Sequence, residues 1–161
     1  MTTQEFYLQN MEAELPRFER VFLAVPPEKA TWRPHEKSRS AIDLVQVITF
    51  NAVACPIFLK TGLMDYEKVP QPQAGSAPEY WTLFKRVFDE SVSIAKGMSD
   101  KDWNSDARMM LGNTVLWETT KGEMAWGILL DSIHHRGQLS VYLRPMGSKV
   151  PSIYGPSGDT A

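Results

Sequence analysis

Cysteine is nearly absent from this sequence: Cys55 is the only one. No internal disulfide can form, which excludes a disulfide-stapled scaffold and fits a reducing compartment, so a cytoplasmic protein is expected. No run of 18 apolar residues occurs, so no membrane-spanning helix and no membrane partner are expected. The opening MTTQEFYLQN lacks a basic region followed by an apolar core and does not read as a signal peptide. An excess of one charge is missing too, the formal net charge being −2. A domain that grips phosphates carries a basic excess, so no nucleic-acid partner is expected. Internal repeats and low-complexity segments are also absent.

What is present is enough for one core. The chain has 161 residues, 43% of them hydrophobic, which suits a single domain over 1–161. Its organisation comes from its helix starts and stops. A capping box sets Ser or Thr before the helix and an acidic residue three positions later, each satisfying a backbone N–H that the helix leaves orphaned. Four pairs fit: Thr2 with Glu5, Ser40 with Asp43, Ser76 with Glu79, and Thr120 with Glu123. Asp is a weaker partner than Glu, so the second box is the least regular. About 20 residues after each start comes a stop: Pro26 and Pro27, Gly62, Gly97, then Pro145 and Gly147.

The apolar spacing between these marks is helical. The first helix carries Leu8, Met11, Leu15, Phe18 and Phe22. The second carries Leu44, Val47 or Ile48, Asn51, Cys55 and Phe58, and the third Trp81, Phe84, Phe88, Ala95 and Met98. The reading is an all-α four-helix bundle with helices at about 3–24, 41–61, 77–97 and 121–144, long connections and a coil tail. The connection over 98–119 has room for a short turn at Ser99–Trp103. It also has room for an extended pair, Arg108–Leu111 with Thr114–Trp117, turning at Gly112-Asn113 or its neighbours. Ile153 and Tyr154 in the tail are expected to pack back on the bundle.

The last helix is where chemistry can sit. One of its faces runs Met124, Ile128, Asp131, His135, Gln138, Tyr142. The other runs Trp126, Leu129 or Leu130, Ile133, Gly137, Val141. The simplest assignment turns Leu130, Ile133 and their neighbours to the core and leaves Asp131 and His135 partly solvated. Asp131 and His135 are at i and i+4 and meet on one side of the helix, where a carboxylate can orient an imidazole or share a metal with it. His134 lies about 100° away and reads as a surface or interface residue. Gly137, which costs about 1 kcal/mol against Ala inside a helix, is tolerated where another backbone comes close. Arg136 is free to pair with Asp131, with another helix, or with a second subunit.

The string HHRGQLSVYLRPMGSKVPSIYGPSGD (134–159) and the segment WRPHEKSRS (32–40) resemble the DinB/YfiT-like helix-bundle family, and the helix layout fits it over the whole chain. The resemblance implies a four-helix bundle, often homodimeric. In many members three histidines hold a divalent metal such as nickel or zinc, one on the second helix and two spaced by four on the last. It also implies a range of activities among relatives, including metal-dependent thiol S-transferases, thiol-dependent isomerases and hydrolases. Carried onto this chain, the last histidine falls on His135, the one before it on Asp131, and the second-helix histidine on Val47.

One histidine is therefore kept, one position is a carboxylate and one is apolar. Tight transition-metal sites use three or four N, O or S donors, so only weak binding is expected from Asp131 and His135. Asn51 and Cys55, one and two turns beyond Val47, are candidates for the same cavity, as is Gln138. Each also has an ordinary reading, Asn51 as a hydrogen-bonded core amide and Cys55 as a small buried residue. Three functions follow: a small-ligand-binding or catalytically silent homodimer with a degraded metal site, a metal-dependent thiol transferase or hydrolase with a remodelled Asp/His site, or a protein–protein module.

Overall fold

The computed structural model describes residues 1–160. Four helices of 21 to 23 residues form the body: α1 (Thr3–Leu23), α2 (Ala41–Thr61), α3 (Ala77–Gly97) and α5 (Lys121–Leu143). A short α4 (Asp100–Trp103) falls where the turn at Ser99–Trp103 is read from the sequence. Complete capping boxes open α1, α2 and α5. The irregular box is the third rather than the second. Ser76 accepts from the Glu79 amide, but the Glu79 carboxylate accepts from Gly75 N–H at 2.9 Å rather than from Ser76 N–H.

The stops act by different means. Gly62 ends α2 with φ +73°, which a residue with a Cβ rarely adopts. Gly97 ends α3 with ordinary φ, the chain turning extended at Met98. Pro16 and Pro56 sit inside α1 and α2 and each removes one ladder hydrogen bond.

Both α1 and α2 pack between α3 and α5, so α1 and α2 face each other across the bundle diagonal. Phe18 and Phe22 of α1 pack in tilted and edge-on contacts against Trp81 and Phe84 of α3, with ring centroids 5.0 to 6.0 Å apart. The second helix is buried along nearly its whole length. Its length and hydropathy would suit a membrane span, but 67% of its apolar window lies inside the bundle, as for a core helix.

A small sheet, outside the all-α reading, closes one end. The hairpin is longer than the sequence suggests: β2 (Asp106–Leu111) pairs antiparallel with β3 (Thr114–Thr120) around Gly112 at φ +57°. A third strand, β1 (Leu63–Asp65), pairs parallel to β2. Strand β3 runs straight into α5, and Thr120 both ends the strand and caps the helix.

The orientation of α5 differs in part from the simplest sequence assignment: Asp131 and His135 are partly solvated and Ile133 packs against the core as expected, but Leu130 faces outward. Its core face is Met124, Ala125, Ile128, Leu129, Ser132, Arg136, Leu139 and Leu143. Leu130 is 56% and Val141 71% exposed. The physical reason is Arg136. Its guanidinium is fully buried, paired with the buried Glu14 carboxylate of α1, and one face of it lies 4.6 Å from the Phe18 ring. Arg17 shares Glu14 at 2.7 Å, and Arg136 Nη2 donates to Tyr154 Oη at 2.7 Å. With Arg17 Nε donating to Ile153 O at 3.2 Å, this buried ion cluster holds the tail against the bundle.

Candidate functional site

The site lies where α2 and α5 run side by side. Asn51 and His135 mark its two ends. Asn51 is buried on α2 and donates through Nδ2 to Asp131 Oδ2 at 2.8 Å and to Ser132 Oγ at 3.2 Å. Ser132 in turn donates to Ile128 O at 2.8 Å. The carboxylate only accepts, so the amide must offer it N–H and turn its oxygen elsewhere. Asn51 is thereby engaged as a donor that positions Asp131.

One turn on, His135 Nε2 lies 3.4 Å from the same Asp131 Oδ2. Its Nδ1 lies 2.8 Å from the Gln138 side-chain amide at Oε1, within hydrogen-bond distance. Nε2 faces the carboxylate across that 3.4 Å gap. The imidazole is largely covered, its side chain 15% exposed, whereas that of Asp131 is 52% exposed. Gln138 orients the ring from the far side.

Val47 belongs to the same row. Leu44 lines the hollow that contains His135, and Asn51 binds Asp131, so Val47 falls between them along α2. The space beside Val47 is open. A groove of about 410 Å³ is lined by Arg39, Asp43, Gln46, Val47, Phe50 and Tyr66. Phe50 and Tyr66 stack at 5.6 Å and form an aromatic wall. Partial burial, and secondarily the Asp131 carboxylate, push the Tyr66 phenol above its ordinary pKa. A second hollow of about 240 Å³, lined by Lys37, Arg39, Leu44, His135, Gln138 and Tyr142, shares Arg39 with the first.

Cys55 lies elsewhere. It faces an inner cavity of about 20 Å³, room for roughly one water, together with Tyr7, Ser91 and the inner side of Asn51. Its Sγ is 3.8 Å from Tyr7 Oη. Burial pushes the thiol up to about 11, so it is protonated at neutral pH. The structure thus brings Asp131, His135, Asn51 and Gln138 together, while Cys55 shares with Asn51 only the inner cavity, away from Asp131, His135 and Gln138. Tyr66 and Arg39, at the groove beside Val47, escaped the sequence reading because both are in loops and carry no periodic signal.

The donor set can be set against a three-histidine metal site. Two donors converge, from one helix. The third position holds an isopropyl group, and the neighbouring amide turns its N–H inward. Among the described residues no group of three His, Cys, Asp or Glu side chains comes together as a metal site would require. These residues do not fit a tight transition-metal centre.

Comparison with known proteins agrees with this architecture. The family model described as "DinB family" matches residues 7–160. No curated protein matches the sequence. Among solved structures, a DinB-like protein of Bacillus subtilis (YjoA) superposes with a TM-score of 0.72 at 18% identity, over 92% of this chain and 98% of that one. YfiT of Bacillus subtilis, described as a probable metal-dependent hydrolase with an unusual four-helix bundle topology, superposes with a TM-score of 0.68 at 9% identity, over 91% and 89%. A mycothiol-dependent maleylpyruvate isomerase follows at 0.56 and 13%, over 100% of this chain and 68% of that one. At such identities the structural likeness establishes the fold alone, while the family model covers nearly the whole chain: this protein belongs to the DinB family.

Proposed function

We propose that this chain is a DinB-family bundle whose three-histidine metal site has degraded, and that it binds a small organic ligand in the open groove beside Val47. The observation that carries the reading is the place of Val47, in one row between Leu44 and Asn51 and beside the Asp131–His135 pair. A valine there removes a donor and leaves a hollow with an apolar, aromatic wall of Val47, Phe50 and Tyr66 and a polar rim of Arg39, Asp43 and Gln46, the usual character of a small-molecule pocket. The mycothiol-dependent isomerase and the probable hydrolase of like fold support a small-molecule or thiol ligand as the class to screen first. Family resemblance further supports a homodimer. Elemental analysis of purified, dialysed protein tests the reading. Well under one metal per chain is expected; one tightly held nickel or zinc per chain, lost in His135→Ala, contradicts it.

One observation favours a second reading, an enzyme with a remodelled Asp/His site acting in thiol transfer or hydrolysis. The 3.4 Å between His135 Nε2 and Asp131 Oδ2 is about the edge of a tetrahedron with bonds of about 2.1 Å, so the two donors are spaced to share a weakly held divalent ion. Turnover of electrophilic substrates with a thiol, abolished in Asp131→Ala, would support it, and turnover unaffected by that substitution would remove it.

A further inference from the structure

The two hollows beside the candidate site differ in character. The larger has the apolar wall of Val47, Phe50 and Tyr66, and the acid Asp43 stands at its rim with Arg39. Phe50 is buried and Tyr66 half-buried, so the Tyr66 ring is the part of that wall a ligand meets first. The smaller is lined by Lys37 and Arg39 with His135, Gln138 and Tyr142, and no Asp or Glu lines it. Its Tyr142 side is braced by Trp32, edge-on at 5.2 Å. Arg39 belongs to both hollows.

The two cations are free to take a ligand. Among the described residues neither Lys37 nor Arg39 makes an ion pair, and both are exposed. The segment 32–40 carries three Lys or Arg residues and one Glu, in a chain whose net charge is −2. The backbone at the start of α2 has nothing left to offer. Ser40 N–H donates to Asp43 Oδ2 at 3.0 Å, Ala41 N–H to Trp32 O at 2.9 Å, Ile42 N–H to Ala30 O at 2.8 Å, and Asp43 N–H to Ser40 Oγ at 3.3 Å. An anion in the smaller hollow is therefore held by side chains, with Arg39 and Lys37 as the charged donors.

The negative groups nearby set how much charge is welcome. Asp43 is on the rim of the larger groove, and Asp131 lies 3.4 Å from His135 on the flank of the smaller hollow. Each repels a ligand of high negative charge, so a single carboxylate suits the site better than a dianion. The geometry points to a small amphipathic acid as the ligand: a flat apolar group against Val47 and Tyr66, and one carboxylate in the smaller hollow between Lys37 and Arg39. This rests on the small-ligand reading above and adds the chemical class and the direction in which the ligand lies.

The probes are phenylbutyrate and its neutral amide, phenylbutyramide, titrated into the full chain and followed by amide NMR shifts. The acid is expected to bind about tenfold more tightly than the amide, the worth of a charge-assisted hydrogen bond, with shifts at Arg39, Val47, Tyr66 and His135. Arg39→Gln should remove most of that preference and Lys37→Gln a smaller part. Both positions are exposed, so circular dichroism should be unchanged. Added salt should weaken the acid and leave the amide unaffected. Val47→Trp, which fills the larger groove, should abolish binding of both probes. Equal affinity for acid and amide, or a preference that survives Arg39→Gln, would overturn the proposed class, and loss of both probes in Val47→Trp would then leave the groove reading standing. Binding of both probes that survives Val47→Trp, with shifts away from the groove, would overturn the groove reading as well.

Discussion

The two halves of the bundle solve the same packing problem in opposite ways. On the α1–α3 side, aromatic rings fill most of the interior, with Gln4, Glu14 and Ser91 the buried polar residues, and exposed charges such as Glu12, Glu19, Lys85 and Asp89 cover the outside. On the α2–α5 side the pattern is partly inverted. The interior holds Asn51, Ser132 and Arg136, while Leu130 and Val141 face outward. Burying polar groups costs stability unless each is satisfied, so the second arrangement reflects demands other than core packing alone. The candidate site lies on that side, and the tail anchor joins Arg136 there to Glu14 and Arg17 of α1.

If the inversion matters, the largest effect should follow from disturbing Arg136. Arg136→Met leaves the Glu14 carboxylate buried with only the half-buried Arg17 to answer it. Denaturant unfolding is expected to show a loss of about 3–5 kcal/mol. Adding Glu14→Leu should recover much of it, because an apolar pair of similar volume needs no partner. On the other half, Lys85→Ala removes an exposed i,i+4 pair with Asp89 and should change stability by at most about 0.5 kcal/mol. Equal losses at both places would dissolve the comparison.

Second in size is the junction of α4 with α5. A Cβ on Gly122 would sit 2.4 Å from Trp103 Nε1, and Trp103 is buried. Gly122→Val is expected to cost about 1–3 kcal/mol by overpacking. The same substitution at Gly137 meets open space, and in the monomer it should not cost stability through packing. Thermal melts of the two variants decide this directly.

The smallest effect is on the thiol. Burial holds Cys55 protonated, its pKa moved from an ordinary 9.0 to about 11. A raised folded value stabilises fully below pH 9 and loses that contribution as pH rises from about 9 to 11. The melting temperature of wild type should therefore fall more steeply over that range than that of Cys55→Ala. In native protein at pH 8, a thiol reagent should label Cys55 far more slowly than in denaturant.

Much of the fold was legible because its signals are local. Thr2–Glu5, Ser40–Asp43 and Thr120–Glu123 announce their helices within four residues, and Gly112-Asn113 announces a turn. Strand β1 was not legible, since Leu63–Asp65 pairs with Arg108–Met110 across 45 residues and carries no periodic pattern of its own. That Leu130 faces outward on α5 was not legible for a related reason. Spacing alone offered two faces, and the choice turned on Arg136 finding Glu14, 122 positions away. At the site, the Asp131–His135 contact follows from i,i+4 geometry. That Asn51 would turn its N–H to Asp131, and that the space beside Val47 would be open, depended on how α2 and α5 lie against each other.

The central claim is that one residue on α2, Val47, is what separates this chain from a tight metal site. Calorimetric titration of zinc into wild type and into Val47→His tests it most directly. The account predicts weak or undetectable binding by wild type and an affinity at least about 100-fold higher in the variant, where a third donor joins His135 and Asp131. Tight stoichiometric binding by wild type, unchanged in Val47→His, would contradict it.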